Sequence, residues 1–141
     1  MPPSRAILLP APALALWTAA VWFWMYAVRI GEIRRRHLDP QAFARARDAA
    51  TALENTTPAD NLRNLFEVPV LFYALVAFLA ITGFASRGLV GAAWLYVLLR
   101  VAHSLIHITY NTVMHRFYVY AASTLLLFGM WIVFAARLFA A

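Results

Sequence analysis

Residues 117–136 read FYVYAASTLLLFGMWIVFAA, a run of 20 residues without a charged side chain. At a rise of about 1.5 Å per residue, a helix of this length spans about 30 Å, which matches the hydrocarbon layer of a membrane. Buried helices of soluble proteins are seldom apolar on every side over such a length. This stretch therefore predicts a transmembrane helix.

Three further apolar runs precede this stretch, at residues 6–28, 65–84 and 89–110. The chain has 141 residues, of which 64% are hydrophobic and 13% charged, whereas soluble domains are about 25% charged. Its mean hydropathy is +0.70. The four runs predict an all-α integral membrane four-helix bundle that forms one domain over residues 1–141.

The segment between the first two runs, residues 29–63, is polar and carries seven of the twelve arginines. Cytoplasmic segments beside membrane spans are enriched in Arg and Lys, so this segment is predicted to face the cytoplasm. Four spans then place both termini outside the cytoplasm. We expect no nucleic-acid partner, because the arginines flank apolar runs and form no basic face with interleaved aromatics. The chain has no Cys, which excludes disulfides and Cys-based catalysis.

Local signals refine the second span. The order Thr57, Pro58, Ala59, Asp60 predicts a helix start, with Thr57 as the cap and Pro58 at the first helical position. This helix is therefore expected to begin in water, about two turns before the lipid. Pro69 lacks a backbone N–H and predicts a kink near residues 65–69.

Polar residues inside the third span predict a cavity. A charged residue within a span costs about 2.5 to 3.5 kcal/mol on insertion scales, so such residues usually face protein or a wet cavity. At 100° per residue, one arc of a continuous third helix holds Tyr96, Arg100, His103, His107, Tyr110, Asn111 and Met114. This polar stripe predicts a cavity that opens toward the cytoplasmic side.

Two other interpretations of these residues stay open. The first is that Arg100 forms a buried ion pair that only fixes helix register, although its depth in the third span disfavours direct contact with Glu67. The second is that His103 and His107, four residues apart, bind a metal. A third ligand would then have to come from His115 or Glu67, so we favour a site without metal.

On the second helix, Asn64 and Glu67 are three residues apart and therefore lie on one face, beside Arg63. The simpler interpretation is a solvated helix end. The functional interpretation is a clamp for a charged ligand, because an amide both donates and accepts, a carboxylate binds an ammonium group, and Arg binds carboxylates with two parallel hydrogen bonds.

Four short spans, a basic segment after the first, the sequence RNLFE at residues 63–67 and the sequence RVAH at residues 100–103 resemble the MAPEG family. These are membrane-associated proteins of eicosanoid and glutathione metabolism, among them microsomal glutathione transferases and microsomal prostaglandin E synthase. The resemblance covers nearly the whole chain. It implies a homotrimer of four-helix protomers that binds glutathione between neighbouring subunits, near the cytoplasmic side. Residues 103–111 resemble bacterial members, which implies a multi-pass protein of a bacterial inner membrane.

Carried over position by position, the resemblance implies that Arg116 is catalytic and stabilises the glutathione thiolate, as a cation does for Cys. It implies glutathione contacts at seven positions: Arg29, Arg63, Asn64, Glu67, His103, His107 and Tyr120. The chain departs from the synthase at His107, where the synthase has Tyr, and at Phe117, where it has Ser. On a continuous helix Arg116 would also lie about 160° from Arg100, so the site requires a bend or two helix faces.

The resemblance therefore predicts a membrane-bound glutathione-dependent transferase or peroxidase that acts on a hydrophobic electrophile, with membrane lipid and a hydrophobic small molecule as further partners. The main alternative is a non-catalytic MAPEG-like protein, either a lipid-binding scaffold or an accessory subunit of a larger membrane complex. A metal or haem protein is a third, weaker interpretation.

Overall fold

The computed structural model describes residues 1–39, 41 and 53–140. Within them the chain forms six helices and no strand: α1 (Pro3–Ala6), α2 (Pro10–Arg36), α3 (Thr57–Phe66), α4 (Pro69–Thr82), α5 (Arg87–Ile108) and α6 (Val113–Phe139). Four helical segments are long and apolar enough to cross a membrane, namely Pro3–Arg36, Thr57–Thr82, Arg87–Ile108 and Val113–Phe139. The predicted all-α membrane fold with four spans is therefore confirmed.

The first crossing extends further than its apolar run. The helix α2 continues through Arg36 and ends at His37, which has a left-handed backbone conformation with φ of 50°. Arg34, Arg35 and Arg36 thus lie in its last turn, where cations interact favourably with the helix dipole. Arg29 consequently lies inside a helix and not in a connecting segment. Within the basic segment, Arg45 and Arg47 lie outside the described residues.

The second crossing is broken where Pro69 predicted a kink. The helix α3 ends at Phe66, and α4 begins at Pro69. The start of α3 differs by one residue from the prediction, because Thr56 is the capping residue and its side chain makes no capping hydrogen bond. The side chain of Asn55 instead accepts the N–H of Thr57 at 3.2 Å, and such Asx turns commonly lead into helices.

The core lies between the four crossings. Phe72 of α4 stacks on Tyr96 of α5, with ring centroids 4.5 Å apart. Leu79 of α4 and Leu127 of α6 are also fully buried in this core. The outer surface carries large apolar side chains, such as Ile81, which is 82% exposed. Surfaces of this kind face lipid or another membrane helix.

The third helix is shorter than the predicted polar stripe requires. The helix α5 ends at Ile108, and the chain turns through Asn111, which has φ of 49°, before α6 begins. Tyr96, Arg100, His103 and His107 are buried on one face of α5, as the stripe predicted. The continuation of the stripe was wrong, since the remaining members lie beyond the helix and are exposed: Tyr110, Asn111 and Met114.

Candidate functional site

A polar cavity of about 380 Å³ lies at the end of the bundle where α3 and α6 begin and α5 ends. Its lining consists of Thr56, Thr57, Asp60, Arg63, Asn64, Glu67, His107, Asn111 and Arg116. Five of the residues that the sequence proposed are in this set, namely Arg63, Asn64, Glu67, His107 and Arg116. The structure thus brings the clamp of the second span together with the proposed catalytic arginine.

The helix α3 supplies most of the cavity wall because of its residue spacing. Asp60 and Asn64 are four residues apart and lie on one face of α3, and Glu67 follows directly after the helix ends. The opposite side of α3 is buried through Pro58 and Leu65. This division follows from the amphipathic sequence of the helix. Asp60 was not predicted as a site residue, although it lies four residues before Asn64 and thus on the same helix face.

Arg116 reaches the cavity because the chain reverses between α5 and α6. Its Nη1 donates a hydrogen bond to Oδ1 of Asn111 at 2.5 Å, and Asn111 adopts the left-handed conformation that completes the reversal. The offset of about 160° from Arg100 assumed a continuous helix. It does not apply, since α5 ends at Ile108 and Arg116 lies in the first turns of α6.

Behind the cavity, a layer of aromatic and basic side chains supports the start of α6. The Nδ1–H of His103 donates to the backbone carbonyl of Arg116 at 3.1 Å. The ring of His103 lies 5.7 Å from that of Tyr120, and the Arg100 guanidinium lies 5.3 Å from the same ring. His103 and Tyr120, both proposed as glutathione contacts, are absent from the residues that line the cavity.

Arg100 is fully buried and connects this layer to α3. Its Nη2 donates to the backbone carbonyl of Asn64 at 2.5 Å. Asn64 is among the last four residues of α3, whose carbonyls lack partners within the helix. Within the described part of the chain, Arg100 forms no ion pair with a carboxylate, including Glu67. The side chain therefore caps a broken helix, a role that the sequence analysis missed.

A second buried hydrogen bond joins the same two helices. Nδ2 of Asn61 on α3 donates to Oγ of Ser104 on α5 at 2.7 Å, and both side chains are fully buried. Together with the Arg100 contact, it fixes the position of α3 against α5. The cavity wall is therefore held by two polar contacts inside an apolar bundle.

The cavity combines both signs of charge. Arg63 and Arg116 supply two guanidinium groups, and Asp60 and Glu67 supply two carboxylates. Nε of Arg116 and Nδ1 of His107 are buried and have no partner among the described protein atoms. Both atoms are closed to solvent, so the charges of the side chains, and not these atoms, characterise the cavity wall. Such a wall suits a small zwitterionic molecule.

The remaining sequence interpretations have less support. Among the residues that the structure describes, no group of three His, Asp or Glu side chains is placed to hold a metal. The rings of His103 and His107 are 6.2 Å apart, and the third ligand that this interpretation required is not found there. Arg29 is half-buried on α2 and is not part of the cavity lining.

The fold and the cavity define a multi-pass membrane protein that carries a charged polar site at one end of its helix bundle. A sequence model of the MAPEG family matches residues 7–136. Because this match covers nearly the whole chain, the protein belongs to the MAPEG family, which includes glutathione transferases and related enzymes. The resemblance seen in the sequence is thereby confirmed. No curated protein and no solved structure matches the chain.

Proposed function

We propose that the protein is a membrane-bound glutathione-dependent transferase or peroxidase that acts on a hydrophobic electrophile. The observation that carries this proposal is the convergence of Arg63, Asn64, Glu67 and Arg116 on one cavity. Arg63 and Asn64 lie on α3, Glu67 directly follows its end, and Arg116 lies on α6. The chain belongs to a family that includes glutathione transferases, so we interpret their common cavity as a glutathione site.

The donor set of the cavity fits glutathione. At neutral pH this tripeptide carries two carboxylates, one ammonium group, two amides and a thiol. The cavity offers one guanidinium group for a carboxylate and one for the thiolate, two carboxylates for the ammonium group, and the side-chain amides of Asn64 and Asn111. Its volume of about 380 Å³ lies within the range of about 300 to 1,000 Å³ typical of small-molecule sites.

We assign the residues by charge. Arg63 binds a carboxylate, and Glu67 with Asp60 binds the ammonium group. Arg116 stabilises the thiolate, because a nearby cation favours the deprotonated form of a thiol. Glutathione supplies the nucleophilic sulfur that attacks the electrophile. His103 acts through Arg116, whose backbone it holds, and is therefore a positioning residue.

A neighbouring apolar cavity suits the hydrophobic second substrate. It has a volume of about 500 Å³ and lies between α2 and the broken second crossing. Leu65 and Phe66, which line it, lie in sequence between Asn64 and Glu67 of the polar cavity. The two cavities thus adjoin the end of α3 on different sides of the helix.

The proposed assembly is a homotrimer. Arg29, which the resemblance implies as a glutathione contact, lies outside the polar cavity of its own chain. A site between neighbouring subunits, as the resemblance implies, allows Arg29 of one copy to complete the cavity of the next. The exposed apolar helix surfaces are compatible with such contacts.

Thiolate formation provides the test. Glutathione is titrated into purified protein in detergent near neutral pH, and the ultraviolet absorbance of the thiolate is recorded. We expect absorbance with the native chain and its loss in Arg116→Ala. Arg5→Ala is the matched control, because Arg5 is exposed on α1 and outside the cavity lining. Equal thiolate absorbance in the native chain and Arg116→Ala would refute the role of Arg116.

The second candidate function is a non-catalytic lipid-binding scaffold or accessory subunit. The apolar cavity beside α2 favours it, since a cavity of about 500 Å³ with an almost wholly apolar lining suits part of an acyl chain. In this case the protein binds lipid but generates no thiolate with glutathione. Co-purification with a larger assembly from native membranes would further support the accessory role.

A further inference from the structure

An apolar groove of about 540 Å³ runs between α5 and α6, at the end of the bundle opposite the polar cavity. Leu89, Leu125 and Met130 are among the side chains that form its walls. Its polar lining is confined to Ser86, at the start of α5, and Arg137, near the end of α6. The groove is therefore apolar along its length and cationic at its mouth.

Two glycines leave the space that forms this groove. Gly88 and Gly129 both line it, and a Cβ atom built on either would meet no atom within 4 Å. Neither glycine is therefore needed for close packing of the helices within the chain. A glycine in a helix interior costs about 1 kcal/mol relative to alanine. Because Gly88 and Gly129 have no side chains, they leave open space between α5 and α6.

Among the residues that the structure describes, no carboxylate side chain forms an ion pair with the arginines at the mouth of the groove. Nη1 of Arg137 donates to the carbonyl of Phe84 at 2.5 Å, and Nη2 lies 3.5 Å from Oγ of Ser86. A guanidinium has five N–H donors, so these contacts leave donors available. Arg87 is exposed beside Ser86. All six Asp and Glu residues of the chain lie between residues 32 and 67, so α4, α5 and α6 contain no carboxylate side chain.

We propose that this α5–α6 groove binds one anionic phospholipid, with an acyl chain along the groove and the phosphate against Arg137. An apolar channel that ends in arginines at the membrane boundary matches the two halves of such a lipid. A zwitterionic lipid fills the groove equally well but gains less from the unneutralised arginines. A helix of a second copy would fill the groove without a need for the cationic mouth.

The test measures lipid binding to the full chain in detergent by native mass spectrometry. The probes are phosphatidylglycerol and phosphatidylcholine with identical acyl chains. We expect phosphatidylglycerol to bind about fivefold to tenfold more tightly, and Arg137→Met to remove this preference. Equal affinity of the native chain for the two lipids overturns the proposal.

Groove filling gives a second, independent readout. Gly129→Leu should reduce binding of both lipids, whereas Gly91→Leu should leave it unchanged. Gly91 is the matched control, because it is exposed on α5, lies outside the groove lining, and also has open space at its Cβ position. The same spectra report the oligomeric mass. Loss of the oligomer in Gly129→Leu with lipid binding intact assigns the groove to contact between copies and overturns the proposal.

Discussion

Replacing Arg100 by methionine is expected to leave the bundle folded while weakening the polar cavity. Arg100 is fully buried within the third crossing, and its guanidinium contacts the Asn64 carbonyl and the Tyr120 ring. Methionine keeps a long, flexible side chain in the same space, so the substitution removes the charge with little change in packing.

The opposing contributions to stability nearly cancel. The charge-assisted hydrogen bond to Asn64 contributes about 1.5 to 3 kcal/mol, and the cation–π contact with Tyr120 about 0.5 to 2 kcal/mol. Against these, burial of a charged side chain in a membrane helix costs about 2.5 to 3.5 kcal/mol. The free energy of unfolding of Arg100→Met should therefore lie within about 2 kcal/mol of the native value.

The local effect falls on the polar cavity. Without Arg100, the carbonyl of Asn64 loses its hydrogen bond at the end of α3, and Asn64 lines the polar cavity. An unsatisfied buried carbonyl costs about 1 to 3 kcal/mol, which the helix end relieves by shifting. A tenfold change in affinity corresponds to about 1.4 kcal/mol. We therefore expect glutathione to bind Arg100→Met about tenfold more weakly.

Two measurements separate these effects. Unfolding in detergent gives the change in stability, and calorimetric titration with glutathione gives the change in affinity. Arg87→Met is the control, since it removes the same charge from the exposed start of the same helix. A loss of stability above about 4 kcal/mol with affinity intact would show that Arg100 is a structural brace only. If Arg100→Met is as stable as the native chain and binds glutathione with the same affinity, the proposed link between Arg100 and the cavity is wrong.

Two further predictions concern contacts that hold α3. Ser104→Ala removes the partner of the buried Asn61 amide and should destabilise the fold by about 1 to 3 kcal/mol, whereas the double variant with Asn61→Leu should recover most of this loss. Additive losses in detergent unfolding would contradict the coupling. Glu32→Ala removes the carboxylate that accepts the Glu54 N–H at 2.7 Å and pairs with Arg36 at 2.8 Å. Hydrogen exchange at the Glu54 amide should accelerate, and unchanged protection would show that this contact does not hold the approach to α3.

The features that local sequence determines were predictable. The four crossings follow from apolar runs, because backbone groups in lipid must be hydrogen-bonded within the protein, which a helix achieves. The break before Pro69 follows from the missing N–H of proline. The polar face of α3 follows from residue spacing along one helix turn. Each of these three features depends on residues that are close together in the sequence, so the sequence alone predicts it.

Features that depend on chain reversal were not predictable. Arg116 approaches His107 only because α5 ends at Ile108 and Asn111 adopts a left-handed conformation. No Gly or Pro marks that turn in the sequence. The helical spacing of 100° per residue was therefore applied beyond Ile108, where α5 ends. The burial of His103 behind the cavity depends on how α5 packs against α6. That packing is a tertiary property, and spacing along one helix does not encode it.

The break in the second crossing explains why a charged residue is tolerated deep in the third. A membrane helix that stops at Phe66 leaves carbonyls that lipid cannot hydrogen-bond. Arg100 donates to one of them from the neighbouring helix, so the cost of burying its charge and the cost of the interruption partly offset each other. The interruption, in turn, allows Asn64 and Glu67 to flank the same cavity. The polar site and the buried arginine are thus two consequences of one helix break.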